Sequence, residues 1–153
     1  MRFAVALLAF SLMPLGAQEG LSGFKVDYTI RDGSAQPRRY AVLIEKGGRG
    51  NFRVGTRQPY PAGPNNYNYA DIGVNIDARL SEGGRGLTLD SNIEISSLQA
   101  EKGADTTKPP VIAQVRTNVT NQMPVGRAMV IATIDDPVTL KKFEIEAMLT
   151  PAK

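Results

Sequence analysis

Carboxylates are the residues of this 153-residue chain best placed for acid–base chemistry: Asp71, Asp77, Asp90 and Glu94 lie within 24 positions of one another. Paired acids flanking a glycosidic bond can hydrolyse it, one donating a proton and the other acting as base or nucleophile. Their spacing argues against that use, because each falls on the polar parity of an alternating run, where a solvated strand face accounts for it. Histidine and cysteine are absent, which removes the commonest general base, the thiol nucleophile and the thiolate or imidazole metal site. Ser96-Ser97 ends a strand with no lysine spaced to serve as its base. Asp135-Asp136 precedes Pro137 as a turn would, without the oxygen-ligand spacing of a calcium loop. The expectation is therefore no catalytic residue, no metal and no cofactor.

Binding chemistry has a better foothold. Tyr60, Tyr67 and Tyr69 flank the segment 58–68, QPYPAGPNNYN, and exposed tyrosines can stack on sugars or anchor a protein partner. Its three prolines, one glycine and three asparagines read as an exposed connection rather than a paired strand. GGRG occurs twice, at residues 47–50 and 83–86. A phosphate loop would feed a helix N-terminus; these lie between strand patterns and read as turns. Asn118-Val119-Thr120 matches a glycosylation sequon, read here as a chance occurrence on a strand.

The elements carrying these residues are strands. From Tyr69 to Leu98 apolar residues take alternate positions: Ile72, Val74, Ile76, Ala78 and Leu80, then, past the second GGRG, Leu87, Leu89, Ile93 and Ile95. That is a β-hairpin with one buried face. Phe24, Val26, Tyr28 and Ile30 alternate similarly, as do Tyr40, Val42 and Ile44, and residues 51–56 complete three antiparallel strands. After a polar connection over 99–110 come Val111 to Val119, then residues 127–134, whose nearly continuous apolar run reads as a central strand, and last Phe143, Ile145, Ala147 and Leu149. The pattern predicts an all-β fold: a single antiparallel β-sandwich or flattened barrel of about eight strands.

Arg2 followed by apolar Phe3–Met13 and the small residues Gly16-Ala17 reads as a secretory signal over residues 1–17. Residues 18–153 then form one domain, with 18–57 a three-stranded part, 58–68 a loop and 69–153 the remainder. Eighteen basic and fifteen acidic residues are interspersed, for a net charge of +3, and no cationic block suited to nucleic acid exists. The mature chain has no apolar stretch of membrane-spanning length.

Tyr69–Ile76, Gly86–Leu89, Ile93–Leu98, Pro110–Val119 and Val125–Ile131, in that order and spacing, resemble the C-terminal homology domain of bacterial secretins. These are the outer-membrane channel proteins of type II and III secretion and type IV pilus systems. The resemblance covers residues 69–131 and implies an exported, periplasmic or extracellular, non-enzymatic β-domain. Such a domain would act by self-association or by binding an envelope or secretion-system protein. A carbohydrate- or small-ligand-binding sandwich using Tyr60, Tyr67 and Tyr69 is the alternative, and a carboxylate-dependent hydrolase the weaker one.

Overall fold

A computed structural model of the protein describes residues 23–33, 36–63, 66–99, 111–136, 140 and 142–152. The expected signal segment lies outside them. Eight strands run β1 Gly23–Asp32, β2 Arg38–Glu45, β3 Arg49–Gly63, β4 Asn66–Gly83, β5 Gly86–Leu98, β6 Ile112–Met123, β7 Ala128–Asp135 and β8 Lys142–Pro151. They form two antiparallel four-stranded sheets, ordered β2-β1-β8-β7 and β3-β4-β5-β6. Neither sheet closes on itself, so of the two architectures expected, the sandwich is the one realised.

Alternation decides which side chains meet between the sheets. Val26, Tyr28, Ile30, Val42, Ile44, Phe143, Ile145 and Leu149 point inward from the first sheet. Val74, Ile76, Leu80, Leu89, Ile93, Ile95 and Met123 meet them from the second. Complete burial of one such aliphatic side chain contributes about 1.5–3 kcal/mol. One polar contact crosses this core: the Tyr28 hydroxyl and Ser91 Oγ lie 2.7 Å apart. Near the β2 and β3 edges the rings of Tyr40 and Phe52 pack at 5.1 Å between centroids, tying the sheets where no backbone ladder does.

The β4–β5 hairpin matches the alternation in detail. Register runs from Gly73↔Ser96 to Gly83↔Gly86, with Gly84 and Arg85 as the two-residue turn. The first GGRG does something different. It carries the chain from β2 in one sheet to β3 in the other, so the three N-terminal strands do not form the expected unit. Gly50 is required there by close approach: a Cβ would stand 2.3 Å from Val42 Cγ1 and 2.8 Å from Ile44 Cγ1.

Two further expectations are corrected. β7 is an edge strand, not a central one. Its register shifts between Val130 and Ala132, so Ile131 is turned inward along with the half-buried Met129, Ala132 and Ile134. A bulge, rather than burial of both faces, produces the continuous apolar run. The loop expected over 58–68 is strand at each of its described residues. Residues 58–63 and 66–68 belong to the far end of the β3–β4 hairpin, paired through Gln58↔Ala70, Pro59↔Tyr69, Tyr60↔Asn68 and Pro61↔Tyr67. Proline has no N–H to give a ladder, but β3 is an edge strand, and Pro59 and Pro61 share one parity. One phase of the ladder therefore turns both ring nitrogens to the open side.

Candidate functional site: an aromatic arm and a polar sheet face

The last β4–β5 pair is Gly73↔Ser96, while β3 and β4 stay paired as far as Gly63↔Asn66. Beyond Gly73 the hairpin therefore continues as a two-stranded arm without β5 beside it. Tyr67 and Tyr69, two residues apart on β4, project from the same face, about 7 Å apart along the strand, each opposite a proline. Both rings are about three-fifths exposed. The Arg57 guanidinium lies 5.5 Å from the Tyr69 ring centroid and also pairs with Asp71 at 3.1 Å. Tyr60, opposite Asn68, has the other parity and is half-buried. Of the three tyrosines singled out in sequence, two thus form a platform and the third belongs to the opposite face.

Where the arm leaves the sandwich, Gly55 and Gly73 are direct cross-strand partners. Gly73 has φ 151°, and a Cβ on it would come 2.1 Å from the Val54 carbonyl oxygen, so no side-chain-bearing residue fits without backbone movement. Its N–H donates to Ser96 Oγ at 3.0 Å. That bond gives Ser96 a structural role, closing the last rung of the hairpin. Arg53, Arg57, Asp71, Asn75, Glu94 and Ser96 surround the two glycines around a shallow hollow of about 490 Å³.

The four carboxylates lie on the solvent face of the second sheet, in separate cross-strand rows. Asp71 pairs with Arg57, Asp77 accepts from Asn51 Nδ2, and Asp90 accepts from Thr120 Oγ1 at 2.7 Å. Glu94 accepts from Arg116 and Gln114, and the Arg116 hydrogen bond holds its carboxyl below the ordinary glutamate value. A glycosidase acid needs a carboxyl kept protonated by an apolar pocket; these are ringed by amides, hydroxyls and guanidinium groups on an open face. Among the described residues no group of three or more Asp or Glu could hold a metal ion.

Exposed strand edges can be expected of any open sheet from sequence, but not which strands form them. β2 and β7 bound one sheet, β3 and β6 the other. Among the described residues β6 presents 12 positions without proline, glycine or a register shift, so neither proline nor a bulge interrupts further pairing along it. Pro59 and Pro61, two apart, were the signal available for an edge strand in β3.

No protein-family model matches the chain, and no curated protein matches it. Solved structures do. The secretin InvG of the Salmonella SPI-1 type III secretion injectisome superposes with a TM-score of 0.53 at 10% identity, over 86% of this chain and 61% of that one. The fold is secretin-like. A second structure, an atomic model of the Salmonella basal-body proteins InvG, PrgH and PrgK, gives the same score and identity over 44% of its chain. The secretin chain of the ETEC pilotin–secretin complex AspS–GspD follows at 0.40 and 10%, with 46% of that chain covered. The chain thus spans under two thirds of the length of these secretins. Within that span, the strand order inferred from Tyr69–Ile131 belongs to a secretin-like sandwich. Among the described residues no helix is long and apolar enough to cross a membrane.

Proposed function

We propose that this chain is an exported, non-enzymatic β-domain that assembles at the bacterial cell envelope by extending its sheets with neighbouring chains, in the service of a secretion or pilus system. One observation carries the reading: each sheet has four strictly antiparallel strands, and its two outer strands have no further strand paired to them among the described residues. With an even number of alternating strands, a second copy set beside the first places its β3 antiparallel to the first copy's β6. The same displacement sets β2 against β7, so both sheets can continue together. Strand addition of this kind draws its affinity from main-chain hydrogen bonds, and a head-to-tail contact of identical chains closes into a ring when the rotation permits. The secretin-like fold supports the setting.

The absence of native cysteine makes a direct test simple. Within one chain β3 and β6 are three strand spacings apart, roughly 14 Å, too far for a disulfide. Asn51→Cys on β3, combined in turn with Arg116→Cys, Asn118→Cys and Thr120→Cys on β6, should give oxidised oligomers in one combination. No intermolecular disulfide in any of the three, from folded protein, would argue against edge-to-edge assembly.

The co-facial Tyr67 and Tyr69 favour a second reading, in which the arm binds a ring-bearing ligand such as a carbohydrate. Tyr60 has no part in it.

A further inference from the structure

On the solvent face of the second sheet, Arg49 of β3 and Arg79 of β4 are direct cross-strand partners. Both are exposed, and among the described residues neither guanidinium has a carboxylate within salt-bridge distance. Like charges directly opposite one another in an antiparallel pair are destabilising. Elsewhere on this face each arginine has a side-chain partner: Arg57 has Asp71, Arg116 has Glu94, and Arg53, without a carboxylate, donates to the Asn75 amide oxygen. The Arg49–Arg79 pair is the exception, and it borders a hollow of about 680 Å³.

The rest of that hollow is rich in hydrogen-bonding groups. Asn51, Asp77, Asn92 and Asn118 form one cross-strand row, and Asp90 and Thr120 continue the row begun by the two arginines. The two acids are already engaged: Asp77 accepts from Asn51 and Asp90 from Thr120. Asp90 is the cross-strand partner of Arg79, yet it accepts from Thr120 and makes no salt bridge to either arginine, so two guanidinium forks on adjacent strands keep their donors available to the oxygens of a tetrahedral oxyanion. The amides of Asn92 and Asn118 offer donors and acceptors to whatever carries it.

We infer that the Arg49–Arg79 pair is a binding site for a phosphate group, borne on a soluble sugar or on a lipid headgroup. A bound phosphate turns a repulsive pair into a bidentate clamp, and the neighbouring row of amides reads hydroxyl groups beside it. The site uses side chains of the sheet face, whereas self-assembly uses the backbone edges of β3 and β6, so phosphate binding and oligomeric state are separate readouts.

Calorimetric and thermal-melt titrations of the full chain at matched ionic strength test it, using inorganic phosphate, glucose 6-phosphate, glucose, and phosphatidylglycerol vesicles against phosphatidylcholine vesicles. Phosphate-bearing probes should bind and raise the melting temperature of the wild type, while glucose and phosphatidylcholine should not. Arg49→Gln and Arg79→Gln should each weaken binding roughly tenfold or more. Without ligand, Arg49→Gln should melt no lower than the wild type, since its repulsion with Arg79 has been relieved. Binding of the soluble phosphates would assign a sugar-phosphate class of ligand, and binding confined to phosphatidylglycerol vesicles a lipid headgroup. No response to any phosphate-bearing probe, or binding undiminished in both variants, would overturn the site.

Discussion

The hydroxyl of Tyr28 and the Oγ of Ser91 lie 2.7 Å apart in the middle of an otherwise apolar core, one from each sheet. The contact sets the two sheets relative to each other, because each group has its partner in only one alignment. Removing one partner strands the other in a dry interior. Tyr28→Phe and Ser91→Ala should each cost about 1–3 kcal/mol, and the double variant less than their sum. Urea unfolding of the four proteins measures the cycle; additive single effects would mean that the bond contributes nothing.

Alkaline pH probes the same contact. Burial pushes the Tyr28 hydroxyl from 10 up to about 12, partly offset by the Ser91 hydrogen bond. The folded state then keeps a proton that the unfolded chain releases above pH 10. Stability from this group is complete below pH 10 and is lost as pH rises toward about 12. Tyr28→Phe should lose stability less steeply across that window, as denaturant midpoints at successive pH values would register.

Glycine at position 73 is required by both conformation and contact. Gly73→Ala should destabilise by roughly 1–3 kcal/mol or more, since it combines an unfavourable φ with a backbone clash. Gly84→Ala, where a Cβ meets nothing within 4 Å and φ is ordinary, should be nearly neutral. Equal melting temperatures for the two variants would contradict the geometry at the base of the arm.

On the arm, Tyr67→Ala with Tyr69→Ala should change stability by less than about 1 kcal/mol, because both rings are largely exposed. Loss of the Arg57–Tyr69 contact accounts for most of that. A glycan array that distinguishes this double variant from the wild type, and does not distinguish Tyr60→Ala, would support the platform. Identical arrays for all three proteins would remove it.

How far the fold was legible depended on how plainly each strand divided its two faces. Ile72 to Leu80 and Leu87 to Ile95 alternate cleanly because β4 and β5 are central in their sheet, with core on one side and water on the other. β7 misled because a bulge turned Ile131 inward beside its neighbours, imitating a strand buried on both faces. Residues 58–68 misled for a related reason: proline excludes a central strand but is tolerated on the open side of an edge, and sequence alone does not say which side is open. The tyrosine platform was half legible. Tyr67 and Tyr69 share a parity that can be read directly; the displacement of Tyr60 to the other face follows only from its pairing with Asn68. The Arg49–Arg79 juxtaposition depends on the register of a hairpin whose strands are 15 and 18 residues long, which no local pattern encodes.

Assembly through open sheet edges is tested most directly by the molar mass of the folded chain, measured by light scattering across a wide range of concentration. The account predicts a mass that rises with concentration to a discrete multiple of the 16.5 kDa full-length chain, or of its processed form if the leader is removed. A strictly monomeric mass at every concentration would contradict it.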